Sequence, residues 1–193
     1  MATITAFESV TLDGVMQAPG RADEDTRGGF TEGGWAAPYQ DEVAMRFAGE
    51  RMATAGAMLF GHRTYDDVLG FWTTTPDPNH FTEALVASPK YVASRDPGTE
   101  LGYPNSTLLA GEAADTVAAF KRDLDDDVVT VLGSGELVRS LLAAGLVDEL
   151  VLLVHPLVLG SGATLFGDAR VELDLQHSET TTTGVVIAQY AVR

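Results

Sequence analysis

A glycine-rich turn is the part of this sequence with the clearest chemical potential. Residues 128–132 are apolar or β-branched and carry no charge, which is typical of a strand buried on both faces of a sheet. Gly133, Ser134 and Gly135 follow, and apolar residues then recur at helical spacing towards Gly145, a candidate left-handed cap. A helix N-terminus after such a turn attracts anions, because its N–H groups are free and its dipole favours negative charge. The pattern predicts either a phosphate cradle for a nucleotide or a tight turn that needs glycine for backbone geometry alone.

The turn is not the dinucleotide fingerprint of a Rossmann domain. Val138 stands where the third glycine of that fingerprint would lie. The turn also follows the fifth predicted strand, whereas the fingerprint normally follows the first. The sequence therefore disfavours a Rossmann dehydrogenase.

A second strand–glycine–helix junction carries an arginine. Gly61, His62 and Arg63 follow the short apolar segment 57–60, and Thr64 opens a stretch with the spacing of a capping box. The 193-residue chain has a formal net charge of −16, so an anionic ligand would need local positive charge. An arginine beside a glycine turn is therefore a candidate phosphate ligand, although a surface salt bridge is the alternative. The overall charge argues against nucleic acid and anionic lipid as partners.

The composition excludes several classes of site. With no cysteine, the chain has no disulfide, no thiolate nucleophile and no Cys-ligated metal. The acidic run 125–127 is interpreted as a solvated loop, and no second histidine supports His155 as a ligand, so we expect no metal. No apolar run approaches the roughly 20 residues that span a bilayer. The N-terminus lacks the features of a signal peptide, so we expect a cytoplasmic protein.

Strands and helices alternate over the first two thirds of the chain, and the last third contains strands only. This order predicts one domain with a mixed, mostly parallel sheet, helices on both faces and an antiparallel hairpin at its edge. The predicted strands are 3–10, 57–60, 90–94, 107–110, 128–132, 149–154, 171–175 and 185–192. The predicted helices are 41–55, one starting at Thr64, one from Asp77–Pro78 to Val86, one ending at Leu124 and one from Leu137 towards Gly145.

A long loop rich in Gly, Asp and Pro connects the first strand to the first helix. A loop of this length, 17–38, usually serves as a lid or a binding loop. Trp35 and the nearby Tyr39 are large aromatic side chains that either face a ligand or pack against the edge of the core. Asp13 lies in the turn before this loop, where it is either a functional carboxylate or the acceptor of an Asx turn.

Five short motifs in this order carry a family resemblance. They are Thr11–Gly14, Phe60–Tyr65, Lys90–Arg95, Val131–Gly135 and Leu146–Leu150. Together they resemble the dihydrofolate reductase-like superfamily, and more closely the reductase domain of bifunctional riboflavin-biosynthesis proteins and its stand-alone relatives. The resemblance covers nearly the whole chain.

The resemblance implies one domain over residues 1–193, a three-layer α/β/α fold with a sheet of about eight strands. It implies an NADPH-dependent reductase of a small heterocycle, either a pteridine or a pyrimidine, with the riboflavin precursor as the best single substrate. It also implies a homodimer, which the strand-only C-terminus, 185–192, favours because an exposed sheet edge must be covered. The alternative is a nucleotide-binding protein of the same fold that does not turn over.

The resemblance also implies which residues bind the cofactor. The diphosphate would contact Gly61, His62, Arg63 and Thr64. The adenosine 2′-phosphate would contact Ser94 and Arg95. The other side of the cofactor would contact Leu132, Gly133, Ser134, Gly135, Glu136 and Leu137.

The substrate side offers two carboxylates for acid–base chemistry. Reduction of a ring nitrogen requires a proton from a side chain or an ordered water. Asp13 matches the riboflavin-type relatives, while Asp41 lies near the position of the carboxylate that dihydrofolate reductases use. The loop residues Gln17, Trp35 and Tyr39 are the predicted substrate contacts. The cationic candidates for a substrate phosphate, Arg21 and Arg27, lie among acidic residues.

Overall fold

The computed structural model describes residues 1–76, 78, 80–124, 127–168 and 170–193. Its strands are β1 Thr3–Thr11, β2 Ala57–Gly61, β3 Lys90–Ser94, β4 Ser106–Ala110, β5 Val128–Leu132, β6 Glu149–His155, β7 Leu173–Thr180 and β8 Val186–Val192. Its helices are α1 Glu42–Thr54, α2 His62–Thr74, α3 His80–Ala87, α4 Ala113–Asp123 and α5 Gly135–Ala143, with short 3₁₀ turns at Arg27–Gly29 and Ala37–Tyr39.

The strands form one 8-stranded sheet in the order β4-β3-β2-β5-β1-β6-β8-β7. All neighbours from β4 to β6 pair in parallel, and β8 is antiparallel to both β6 and β7. This confirms the predicted mixed sheet with its C-terminal hairpin. Within this hairpin, β8 lies inside the sheet and β7 forms the edge.

Helices cover both faces of the sheet. On one face, Val117 of α4 and Leu141 of α5 pack with Ile4 and Val131 in the largest apolar cluster. On the other face, α1, α2 and α3 pack in two smaller clusters, of which Phe47 with Val151 is one example. The three-layer α/β/α fold is thus confirmed. Among the residues that the structure describes, no helix is long and apolar enough to cross a membrane.

The helix ends follow the local signals in most places. Asp41 caps α1, its Oδ1 accepting the Ala44 N–H at 2.9 Å. Gly145 follows α5 with φ 65, as expected for a left-handed cap. The capping box at Thr64 is wrong, since α2 begins at His62 and no side chain caps it. Asp77, at the predicted start of α3, and two residues of the acidic run, Asp125 and Asp126, lie outside the described residues.

The strand register decides where a ligand can bind. β2 pairs with β5 up to Leu59 and Val131, and β1 pairs with β5 up to Phe7 and Leu132. Parallel strands therefore end together at one edge of the sheet, and both glycine junctions lie at that edge. In open α/β sheets, ligands bind outside the carboxyl ends of the strands.

Candidate active site

A cavity of about 1160 Å³ opens where β2, β3 and β5 end. Every residue that the resemblance assigned to the cofactor lines this cavity. The set consists of Gly61, His62, Arg63, Thr64, Ser94, Arg95, Leu132, Gly133, Ser134, Gly135, Glu136 and Leu137. The structure thus brings three separate segments of the chain together on one wall.

Two helix N-termini meet in this cavity without side-chain caps. Gly61 is the N-cap residue of α2, and Ser134 is the N-cap residue of α5. Ser134 adopts a left-handed conformation (φ 68, ψ 56), and its Oγ accepts the Gly61 N–H at 2.8 Å. Its hydroxyl therefore links the two junctions and leaves its own helix uncapped. Free N–H groups and two dipoles make this wall favourable for an anion.

At Gly133 and Gly135, the two glycines of the Gly133–Gly135 turn, neighbouring side chains approach the backbone closely. A Cβ on Gly133 (φ +59) would lie 3.0 Å from Thr64 Cγ2, and one on Gly135 would lie 2.2 Å from the Met16 sulfur. The positive φ of Gly133 agrees with the interpretation that glycine serves backbone geometry there. It does not oppose the phosphate cradle, because the same close approach forms a concave surface of backbone N–H groups.

Three arginines on the cavity wall differ in the ion pairs that they already form. Arg63 is exposed in the first turn of α2 and has no ion pair among the described residues. Arg95 is 81% exposed in its side chain, and its Nε lies 3.2 Å from Glu112. The Arg27 guanidinium is paired with Asp25. Of these three arginines, Arg63 would therefore give up the fewest contacts on binding an anion.

The three predicted substrate contacts have structural partners. Gln17 lines the cavity, but its Nε2 donates to the carbonyls of Asp25 and Arg27, and its Oε1 accepts the Ala163 N–H at 2.9 Å. Trp35 and Tyr39 do not line the cavity. They pack edge-on against His155, with ring centroids at 5.0 and 5.6 Å. For both aromatic side chains the structure shows packing at the core edge, where they anchor the long loop.

Asp13 and Asp41 lie outside the cavity lining, and both carboxylates are engaged. Asp13 accepts from the Thr11 hydroxyl, from the Gly160 N–H at 2.7 Å and from the Leu159 N–H at 3.3 Å. These hydrogen bonds, that from Thr11 first, lower its pKa.

Asp41 accepts from the Ala44 N–H and from the Thr182 N–H and hydroxyl. These bonds, with that of Ala44 foremost, lower its pKa to about 2. Neither carboxylate lines the cavity, so the roles expected for Asp13 and for Asp41 at the reaction site stay predictions.

A third carboxyl, missed by the sequence analysis, does line the cavity. Glu8 of β1 is only 3% exposed, and its Oε1 has no hydrogen-bond partner in the described part of the chain. Burial raises the pKa of this carboxyl well above its ordinary value of 4.5. The signal lies in the alternation of β1, because Glu8 shares a strand face with the apolar residues Ile4, Ala6 and Val10.

The comparisons with known proteins agree with this architecture. The RibD C-terminal domain family matches residues 2–187. The chain belongs to the RibD C-terminal domain family. Over 139 residues it is 31% identical to the uncharacterized protein YyaP of Bacillus subtilis strain 168, covering 69% of this chain and 72% of that protein. This confirms the resemblance to riboflavin-type relatives.

Two solved structures show the same fold. A pyrimidine reductase-like protein from Corynebacterium diphtheriae superposes with a TM-score of 0.66 at 14% identity, covering 99% of this chain and 92% of that one. Dihydrofolate reductase from Enterococcus faecalis, complexed with NADP(H), gives a TM-score of 0.58 at 14% identity, covering 98% and 94%. The RibD C-terminal domain described here therefore has the dihydrofolate reductase-like fold.

If Asp13 braces the turn, Asp13→Asn will lower stability. The loss will be visible at neutral pH and will fade as the pH falls below the ordinary aspartate pKa of 3.8, because the hydrogen bonds stabilise the carboxylate form. Thermal unfolding at several pH values measures this. Asp23→Asn is the control, since its side chain is 88% exposed. Equal melting temperatures for the two variants would exclude the bracing role.

Glu8→Gln will stabilise the protein increasingly as the pH rises. With a raised native pKa, the folded state binds more protons than the unfolded state above pH 4.5, so wild-type stability falls with rising pH up to the native pKa. The stability difference should grow by about 1.4 kcal/mol per pH unit in that window. Urea unfolding of both proteins from pH 4 to pH 8 tests this. A difference that does not change with pH would contradict it.

Proposed function

We propose that this RibD C-terminal domain is an NADPH-dependent reductase that acts on a small heterocycle. The observation that carries the proposal is the pair of uncapped helix N-termini that line one cavity beside Arg63, which has no ion pair with any residue that the structure describes. The volume of about 1160 Å³ exceeds the roughly 300–1,000 Å³ of ordinary ligand pockets, so it suits a dinucleotide together with a substrate.

The donor set of the wall fits a diphosphate and a 2′-phosphate. In the proposal, Gly61–Thr64 and Gly133–Gly135 bind the diphosphate through backbone N–H groups, and Arg63 adds the charge that the acidic chain otherwise lacks. Ser94 and Arg95 bind the 2′-phosphate. NADPH, when bound, supplies a hydride, and the protein contributes binding, orientation and electrostatics.

The substrate that we propose carries no phosphate. Arg21 pairs with Asp67 at 2.5 Å and lies 4.4 Å over the Phe71 ring, and Arg27 pairs with Asp25. Both loop cations are thus committed to the loop and to α2. This favours an unphosphorylated pteridine or pyrimidine over the riboflavin precursor with its ribose phosphate.

One observation supports the alternative, a nucleotide-binding protein without turnover. Neither Asp13 nor Asp41 lines the cavity, so the carboxylates expected to serve the substrate are absent from its wall. This alternative keeps the cofactor contacts and predicts binding without oxidation.

A substrate panel separates these possibilities. NADPH binding is measured by fluorescence, and oxidation is followed by absorbance with 7,8-dihydrofolate, FMN, and 5-amino-6-(5-phosphoribosylamino)uracil with and without its phosphate. We expect binding, and oxidation with an unphosphorylated heterocycle. Binding without oxidation would favour the alternative, and the absence of binding would reject both. A clear preference for the phosphorylated pyrimidine would reject the phosphate-free substrate.

Arg95→Ala will weaken NADPH binding and leave NADH binding nearly unchanged. The loss of one charge-assisted contact at an exposed site corresponds to about 1.5 kcal/mol, roughly 10-fold in Kd. Glu112→Gln is the matched control, since it removes the carboxylate that competes for Arg95 and should keep or tighten NADPH binding. Isothermal titration with both cofactors measures this. Equal weakening for NADPH and NADH would remove Arg95 from the 2′-phosphate site.

We also propose a homodimer that uses the edge of the sheet. β7 is the edge strand, and its Leu175 is 57% exposed, while Val186 of the neighbouring strand β8 is 40% exposed. An exposed edge with apolar side chains is a surface that proteins usually cover. Sedimentation at micromolar concentration should give the dimer mass, and a monomer would reject the proposal. A cytoplasmic location stays a prediction.

A further inference from the structure

Glu8 occupies a strand face that is otherwise part of the core. Ile4, Ala6 and Val10 alternate with it on β1, and all three belong to the largest apolar cluster. A carboxyl group at such a position costs free energy unless it is hydrogen-bonded or neutral. Its Oε1 lacks a partner among the described residues, so the surrounding structure does not explain its presence.

The strand register leaves Glu8 without a neighbouring strand on the β5 side, where the cavity lies. The pairing of β1 with β5 ends at Phe7 and Leu132, one residue before Glu8, whereas the pairing with β6 continues through Glu8 and Leu152 to Thr11. Glu8 is therefore the first residue of β1 without a β5 neighbour. It lines the cavity beside the turn at Gly133, where the cofactor contacts are proposed.

No neighbouring group provides a counter-charge for a Glu8 carboxylate. Leu152, its partner on β6, does not titrate. The titratable and charged side chains that share the cavity wall are Glu136 and Arg139 of α5, Glu24, Asp25 and Arg27 of the loop, His62, Arg63, Asp66 and Asp67 of α2, and Arg95 after β3. None of them forms an ion pair or a hydrogen bond with Glu8 in the described structure, and desolvation is what raises its pKa. Burial therefore favours the protonated, neutral form of this carboxyl.

We propose that Glu8 donates the proton to the ring nitrogen of the heterocycle as the neighbouring carbon accepts the hydride. This rests on the proposed function and deepens it, because it defines the substrate as a heterocycle with a C=N bond whose nitrogen can accept a proton. Glu8 replaces Asp13 and Asp41 as the acid of the reaction.

The step balances without a further reactant. NADPH, when bound, would supply the hydride and thus the two electrons of the new C–H bond, and the π pair of the C=N bond would move to nitrogen. That nitrogen takes the proton from the Glu8 O–H, which forms the N–H bond and leaves Glu8 as a carboxylate. Water returns a proton to Glu8 after product release. A buried carboxylate costs free energy because it is desolvated, so Glu8 recovers its proton readily.

Glu8→Gln tests the proposal, since glutamine keeps the shape but has no acidic proton. With the panel substrate that wild type reduces fastest, we expect an unchanged Kd for NADPH and a fall in kcat of about 10²- to 10⁴-fold. The wild-type rate should decline at high pH as the acid form is lost, and this decline should be absent in Glu8→Gln. Glu8→Asp, which keeps the acid on a shorter side chain, should recover part of the rate.

Two further measurements separate catalysis from structure. Glu149→Gln is the control, because Glu149 lies outside the cavity and is held by Thr5, Arg51 and Gln189; it should leave the pH profile unchanged. In the ligand-free protein, a difference infrared spectrum of wild type against Glu8→Gln should show a carboxylic-acid carbonyl band at neutral pH that disappears at high pH.

The outcomes identify which proposal fails. Wild-type kcat and pH profile in Glu8→Gln, with turnover intact, would overturn the role of Glu8 alone. A missing acid band at neutral pH would overturn it as well, whatever the substrate. If wild type binds NADPH but reduces no compound of the panel, both the reductase function and the proton-donor role are rejected.

Discussion

The hydrogen bond from the Gly61 N–H to Ser134 Oγ, 2.8 Å long, is the contact on which the site depends. It forms because β2 and β5 pair in parallel and end together, which places two strand–helix junctions side by side. Ser134 uses its hydroxyl at the neighbouring junction and Gly61 has no side chain, so in the described structure no side chain caps α5 or α2. The unsatisfied N–H groups of both helices remain available to an anion, and a strongly acidic chain thereby acquires a wall that attracts phosphate.

The second constraint is the buried carboxyl group of Glu8 in the cavity wall. Glu8 costs stability at neutral pH, and nothing in the described structure offsets that cost through a hydrogen bond or an ion pair. Groups with raised pKa values that face a cavity are typical of acid–base sites, because the same desolvation keeps a proton available for transfer. The anion-binding wall and the neutral acid are adjacent because β1 extends past the end of β5.

The sequence predicted what local patterns determine. The strand 90–94, the helix capped by Asp41 and the cap at Gly145 depend on residues a few positions apart, and the structure has them there. The cavity-lining motifs were also found, since each is a contiguous segment at a strand end. The start of α2 was misplaced because the capping-box pattern at Thr64 is not used. The helix begins two residues earlier, at His62, after Gly61 as its N-cap residue.

The residues proposed to serve the substrate could not be predicted, because their surroundings depend on contacts between distant segments. Besides their local bonds to Thr11 and Ala44, the carboxylate of Asp13 bonds to a residue 147 positions away and that of Asp41 to one 141 positions away, and these long-range contacts leave no local signal. Glu8 does leave a local signal, which is an acidic residue within an apolar alternation.

The most direct test is a crystal structure with NADP⁺ bound. We predict the diphosphate against the N-termini of α2 and α5, and the nicotinamide ring beside Glu8. A diphosphate bound elsewhere, or the adenine beside Glu8, would contradict this account.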